Sequence, residues 1–168
     1  MKFYEWFSSL NEWMAKIASW FALILTLVVS YDVSMRYFFH APTIWAFEIS
    51  WMLYAAHFLL GFTYVLHLGG HVRVDVVYDK FSPRVKAILD TAFLLVCLLP
   101  VCFVVVIYGT PYAYRSWAIR EGSHFTLWAP AAYPIKTLIP LVFLMLGVQG
   151  ILEVLRQVKL IKNKKEKG

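Results

Sequence analysis

The sequence predicts an all-α integral membrane protein with four transmembrane helices, short amphipathic helices at the membrane surface, and both chain termini in the cytoplasm. The 168 residues are 61% hydrophobic and only 15% charged, which is more apolar than a soluble domain of this length requires. Four apolar runs are also long enough to cross a bilayer core of about 30 Å, which takes roughly 20 helical residues. Composition and run length therefore agree on the fold class.

The four runs leave little chain for a soluble module, so we expect one membrane domain over residues 1–168. The predicted spans cover residues 14–33, 45–68, 85–108 and 133–155, and a basic tail follows over residues 156–168. Pro100 and Pro140 lie inside the third and fourth spans. Each proline removes a backbone hydrogen bond and can kink its helix.

Lysine and arginine are concentrated in two of the segments that flank the spans. Six follow the fourth span and four lie between the second and third, whereas Arg36 alone lies between the first and second. Because cytoplasmic segments carry the excess of positive charge, we expect both termini to be cytoplasmic. The net charge of +6 is then explained by membrane topology, and we expect no nucleic-acid partner.

Two shorter segments have the pattern of amphipathic helices that lie at the membrane surface. In the first, apolar residues recur at three- and four-residue steps from Phe3 to Ile17,. The second follows the glycine pair at residues 69–70, and its apolar residues are Val74, Val77, Tyr78 and Phe81. A strand is the alternative there, but a lone strand would leave its edges unpaired. Ser82 and Pro83 then have the chemistry to cap and start the third span.

Charged residues occupy the junction of the first two spans, where uncharged turn residues would suffice. Asp32 and Arg36 are four residues apart in the favourable acid-first order, so we expect them to pair on the last turn of the first helix. Trp45 fits the aromatic belt, and Glu48 enters the second span about one turn deep. We expect Glu48 to pair with Arg36 or with a donor on another chain. The charges would clamp a tight hairpin, and ordinary interfacial anchoring is the alternative.

His57 is the histidine nearest the middle of a predicted span. A hydrogen bond to a neighbouring helix is the favoured role, and a ligand or proton-relay role is the alternative. Haem would require a second facing histidine, and neither His67 nor His71 is well placed to provide it. No catalytic motif is present, so we expect neither an enzyme nor a bound metal or cofactor.

Three stretches of the sequence together resemble one protein family. The first has the pattern D-V-x-x-R-Y-x-F, starting at Asp32, and Trp45 and Glu48 follow it. The others are GGHVRVDVVYDKFSP, residues 69–83, and SHFTLWAPAAYPIK, residues 123–136, ahead of a last span that ends in GVQGILEVLRQ. In order and spacing they resemble the small membrane subunit, of DctQ type, of tripartite ATP-independent periplasmic (TRAP) transporters.

The resemblance implies an accessory subunit of a three-part importer in the bacterial inner membrane. In such an importer a periplasmic solute-binding protein captures a solute, often an organic acid. A large polytopic membrane subunit then carries the solute inward by an elevator movement driven by a sodium gradient. The small subunit acts as the fixed scaffold, and membrane lipids surround both. The large subunit would be a separate chain.

The charge pattern, the resemblance and the aromatic residues of the outer segment 112–128 suggest two groups of contact residues. The candidates for structural or subunit contacts are Asp32, Arg36, Trp45, Glu48, His57, His71 and Asp75. The candidates for docking of the binding protein are Trp117, Arg120 and Phe125. Two other functions stay open from the residues alone. One is an autonomous four-helix transporter with Glu48 as the proton-coupled site of a homodimer, and the other is a haem-carrying anchor of a redox enzyme that uses His57.

Overall fold

The computed structural model describes residues 2–67 and 81–165. Its helices are α1 (Lys2–Phe38), α2 (Ile44–His67), α3 (Pro83–Phe93), α4 (Leu99–Ala118) and α5 (Tyr133–Lys165), with a π-helical turn at Leu94–Leu98 that joins α3 to α4. The stretches long and apolar enough to cross a membrane are Trp6–Phe38, Ile44–Leu66, Ile88–Ala118 and Tyr133–Val158. The predicted all-helical fold with four transmembrane helices is therefore confirmed.

The first helix is longer than the sequence analysis predicts. α1 has 37 residues and is about 55 Å long at 1.5 Å per residue. The predicted N-terminal surface helix is the first part of α1, because residues 2–38 contain no proline or glycine that would break the helix,. Phe7, Met14 and Ala18 in this part are buried, so one of its faces packs on protein. The second predicted surface helix falls mostly outside the described residues.

The third transmembrane element also extends beyond its predicted end. Ser82 is the N-cap of α3 and Pro83 occupies the first turn, as predicted. α4 continues to Ala118, past the predicted end at residue 108, and contains Pro111. Pro111 does not end the helix, because transmembrane helices tolerate proline.

A π turn precedes the proline in the middle of this element. The N–H of Leu99 donates to the carbonyl of Leu94, five residues back, instead of four. Pro100 follows immediately and has no N–H to donate. The predicted local disturbance at Pro100 therefore takes the form of one wide helical turn, a known cause of helix bending.

The helices pack in the order α1, α2, α5, α4, with α2 between α1 and α5. Leu66, Leu94, Cys102 and Leu146 form the buried apolar cluster. The π turn and α4 approach α5 closely at glycines, and a Cβ at Gly150 would lie 3.2 Å from a Leu98 methyl group. Small residues are the usual means by which transmembrane helices pack at short distance.

Candidate functional site

Seven of the predicted contact and docking residues lie at one end of the bundle, which we call the hairpin end: Asp32, Arg36, Trp45, Glu48, Trp117, Arg120 and Phe125. It comprises the α1–α2 turn, residues 39–43, and the α4–α5 loop, residues 119–132. In the turn, the Ala41 N–H donates to the Met35 carbonyl at 3.1 Å. His40 has a φ of +52°, the left-handed conformation that reverses the chain in few residues. The turn thus brings the start of α2 against the last turns of α1.

Asp32 connects the two helices across this turn. The Arg36 Nη2 donates to Asp32 Oδ2 at 2.8 Å, so the predicted pair is confirmed. The Thr43 N–H donates to Asp32 Oδ1 at 3.2 Å, and the Thr43 hydroxyl donates to the same oxygen. Thr43 directly precedes α2, so the Asp32 carboxylate holds the start of α2 to the end of α1.

Glu48 is fully buried and binds residues of its own chain. Trp51 Nε1 donates to Glu48 Oε2 at 2.6 Å, and the Thr126 hydroxyl donates to Oε1 at 2.8 Å. The predicted pairing of Glu48 with Arg36 is wrong, because the Arg36 guanidinium binds Asp32 instead. A buried carboxylate needs such donors, since leaving one of its oxygens unpaired is costly. Glu48 therefore attaches the α4–α5 loop to α2.

Phe125 reinforces this attachment. Its ring lies edge-on to Trp51, with centroids 5.7 Å apart, and edge-on to Phe47 at 6.0 Å. Aromatic pairs prefer this geometry and contribute about 0.5–1.5 kcal/mol each beyond burial. The loop thus contacts α2 through two consecutive residues, the aromatic Phe125 and the polar Thr126.

Glu121 connects the other side of the loop to α4 and α5. Lys136 Nζ lies 2.6 Å from Glu121 Oε2, and the Ser116 hydroxyl donates to that oxygen at 2.7 Å. These hydrogen bonds, from Lys136 first and Ser116 second, lower the pKa of Glu121 below its ordinary value. Lys136 also lies 4.4 Å from the centroid of the Tyr112 ring on α4, a cation–π distance.

The loop backbone between these anchors is ordered by its own hydrogen bonds. The Ser123 N–H donates to the Pro130 carbonyl at 2.7 Å, and the Ala132 N–H donates to the Glu121 carbonyl at 3.0 Å. Gly122 lies so close to Ala129 that an added Cβ would meet the Ala129 carbonyl oxygen at 3.0 Å. The loop is therefore a compact structure with a defined shape.

The three predicted docking residues lie in different parts of this structure. Trp117 donates from Nε1 to the Thr137 hydroxyl at 2.8 Å and its ring lies 4.3 Å from that of Tyr133. Arg120 is exposed with a φ of +48°, and Phe125 is 69% exposed although its ring contacts α2. The structure thus places Trp117 against α5 and Phe125 against α2, and their role in docking stays a prediction.

Trp45 lies beside an open apolar groove of about 450 Å³ at the hairpin end. The groove is lined by Ile44, Trp45, Leu127 and Trp128. The Trp45 ring also contacts Tyr31 of α1, with centroids 5.7 Å apart. Trp45 therefore contacts α1 through Tyr31 and, together with Leu127 and Trp128 of the loop, lines the apolar groove.

The family of the chain follows from its sequence. A family model described as "Tripartite ATP-independent periplasmic transporters, DctQ component" matches residues 25–160. The chain belongs to the DctQ family. It is therefore a small membrane subunit of a TRAP transporter, as the sequence resemblance implied. No curated protein matches the chain.

The histidine in the middle of the DctQ subunit has a structural contact. His57 Nδ1 lies 2.7 Å from the Ala18 carbonyl oxygen, so the predicted hydrogen bond between helices is confirmed. Among residues 2–67 and 81–165, no cluster of three or more metal-binding side chains is present. His71 and Asp75, the other predicted contact residues, lie outside the described residues.

A buried polar group in the other half of the DctQ subunit was not predicted from the sequence. Asn11 Nδ2 donates to Gln149 Oε1 at 3.2 Å, and both residues are buried. One turn further along α5, Glu153 is also buried, accepts from Gln157 Nε2 at 2.9 Å and lies 3.6 Å from Arg156 Nη1. The four-residue spacing of Gln149, Glu153 and Gln157 in an apolar run was an available signal, because it marks one face of a helix.

Proposed function

We propose that this DctQ subunit is the fixed scaffold of a three-part importer. Its partners are a separate large polytopic membrane subunit, which moves the solute, and a periplasmic solute-binding protein, which delivers it. The solute is a small organic molecule, an organic acid by class, and a sodium gradient drives its uptake. The match of the family to residues 25–160 is the observation that carries the proposal.

The contacts at the hairpin end are consistent with a scaffold role. A scaffold must keep its shape while its partner moves, so its helices need connections that do not depend on the partner. Glu48 with Thr126 joins α2 to the loop, and Glu121 with Lys136 joins the loop to α5. Fully paired polar groups of this kind make a structure rigid.

The topology in this proposal places both termini in the cytoplasm of a bacterial cell, with the hairpin end in the periplasm. The distribution of lysine and arginine supports this orientation. The test is a Leu127→Cys variant, because Leu127 is 97% exposed, with Lys162→Cys as the opposite-side control. A membrane-impermeant maleimide added to intact spheroplasts should label the first variant and not the second. Labelling of the second alone would reverse the topology.

The function is tested by purifying the tagged chain from native membranes in mild detergent. We expect a large polytopic chain in roughly equal amount. Proteoliposomes that contain both chains, with the binding protein added, should take up an organic acid under an inward sodium gradient. Liposomes that contain the DctQ subunit alone should not. Uptake by this chain alone, or recovery of a homo-oligomer without a partner, would refute the proposal.

A further inference from the structure

Polar side chains follow one face of α5 in its second half and extend to α1. Gln149, Glu153 and Gln157 are four residues apart, and Gln157 Nε2 donates to Glu153 Oε1 at 2.9 Å. Asn11 of α1 joins them at the other end, where its Nδ2 donates to Gln149 Oε1 at 3.2 Å. All four residues lie within the stretches long and apolar enough to cross the membrane. We call them the polar ladder.

Two buried oxygen atoms of the polar ladder have no donor within the described chain. Among the residues that the structure describes, none donates a hydrogen bond to Asn11 Oδ1 or to Glu153 Oε2. Arg156 Nη1 lies 3.6 Å from Glu153 Oε2, which is an ion-pair distance but too long for a hydrogen bond. A buried acceptor without a donor is costly. Two such atoms therefore indicate a missing donor.

Both oxygen atoms border the same step of the polar ladder, the one between Gln149 and Glu153. A side chain on a helix covers the turn on the N-terminal side of its own Cα, so Glu153 leans toward Gln149 as Gln157 leans toward Glu153. Asn11 is held at Gln149 by its hydrogen bond. The donors that Asn11 and Glu153 require therefore belong to one site, which we call the α1–α5 site.

The α1–α5 site lies where two helices meet through side chains. α2 packs between α1 and α5, and these two helices make few direct contacts with each other. The Asn11–Gln149 hydrogen bond is one of them. A small molecule that bridges polar groups fits such a junction, because the two backbones are not packed directly on each other there.

The charges at the α1–α5 site favour a neutral donor over a metal ion. Glu153 already has the Arg156 guanidinium as a counter-ion. The two free oxygens are also far fewer than the six or more that a hard cation such as Ca²⁺ takes. A water molecule instead has two hydrogens for two acceptors, and buried waters characteristically bind polar groups that are otherwise unsatisfied.

We propose that a buried water molecule binds at the α1–α5 site and donates one hydrogen bond to Asn11 Oδ1 and one to Glu153 Oε2. A bridging water is nearly as favourable as a direct hydrogen bond. It therefore gives α1 and α5 a second connection beside the Asn11–Gln149 bond. The inference concerns this chain alone and does not depend on the proposed function.

The first test is an experimental structure of the purified full chain at a resolution that shows ordered water. We expect a density peak at hydrogen-bond distance, about 2.5–3.0 Å, from both Asn11 Oδ1 and Glu153 Oε2. A direct hydrogen bond between Asn11 and Glu153, a protein or lipid donor at either oxygen, or the absence of a shared peak would overturn the inference.

A second test is a double-mutant cycle with Asn11→Leu and Glu153→Leu, read as thermal unfolding temperature in detergent. Residues that share a bridging water are coupled, so the loss in the double variant should be smaller than the sum of the single losses. The control pairs Asn11→Leu with Thr63→Val, because the buried Thr63 hydroxyl donates to the Leu60 carbonyl of its own helix. We expect additive losses in the control. Additive losses with Glu153→Leu would contradict the bridge, and the density test still decides if a variant does not fold.

A third measurement distinguishes water from a bound cation. The unfolding temperature of the wild-type chain is compared in sodium chloride and in choline chloride at equal ionic strength. Water at the α1–α5 site predicts equal temperatures. A higher temperature in sodium that Glu153→Gln removes would assign the site to a cation and overturn the inference. Neither result bears on whether the chain is a transporter subunit, so the proposed function is tested separately.

Discussion

The hydroxyl of Thr126 donates a hydrogen bond of 2.8 Å to Oε1 of Glu48, which lies 78 residues earlier in the chain. Glu48 is fully buried, and its other carboxylate oxygen accepts from Trp51. The α4–α5 loop is therefore attached to α2 through a carboxylate whose oxygens both have donors. The same carboxylate would be costly to bury if either donor were removed.

Thr126→Val should destabilise the protein by about 1 kcal/mol, because it removes one hydrogen bond to the buried Glu48 carboxylate, which also interacts with the Ser123 side chain and the Thr126 backbone. Thr110→Val is the matched control, since the Thr110 hydroxyl donates only to the Val106 carbonyl of its own helix. Thermal unfolding in detergent measures both variants. In a double-mutant cycle with Glu48→Gln, the two effects should not add. Additive effects would show that the residues are not coupled.

Asp32→Ala should destabilise the hairpin more than Arg36→Ala. The Arg36 side chain is 57% exposed, and an exposed ion pair contributes at most about 1 kcal/mol. Asp32 also accepts two hydrogen bonds from Thr43, so its loss frees the start of α2. Unfolding temperatures of the two variants test this order. Equal losses would mean that Arg36 is the main partner of Asp32.

Glu121→Gln should remove a pH-dependent part of the stability. The pKa of Glu121 is lowered from 4.5 by its hydrogen bonds to Lys136 and Ser116. A lowered pKa in the folded state means that the stabilisation is fully present above pH 4.5 and is lost as the pH falls through the folded-state value. The difference in unfolding temperature between wild type and variant should therefore shrink on acidification from neutral pH. A constant difference would contradict the prediction.

Gly122→Ala should be destabilising by about 1–3 kcal/mol, the range for overpacking a fitted site. The new Cβ would lie 3.0 Å from a backbone oxygen of Ala129, a tighter contact than real Cβ atoms usually make, so the loop backbone would have to shift. Gly61→Ala is the control, because a Cβ at Gly61 would meet no atom within 4 Å. Comparable unfolding temperatures for the two variants would show that the loop is looser than its geometry indicates.

The parts of the structure that the sequence predicts are those set by local pattern. Hydropathy predicts the four membrane helices, and the four-residue spacing predicts the Asp32–Arg36 pair. The contacts of Glu48 with Thr126 and of Asn11 with Gln149 were not predictable, because each joins residues that only the packing of helices brings together. The predicted Glu48–Arg36 pair failed because Arg36 had a closer acceptor on its own helix.

The π turn at Leu94–Leu98 also sets which side of α4 faces α5. It places one more residue in a turn than a regular helix has,. Winding the same residues as a regular α-helix would carry the extra residue forward and rotate everything that follows by about 100°. Cys102 and Ala113, now buried, would turn toward lipid, and bulkier neighbours would meet the glycines of α5. The wide turn therefore determines the rotational orientation of α4 about its axis. The number of residues in the turn matters more than the identity of any one of them.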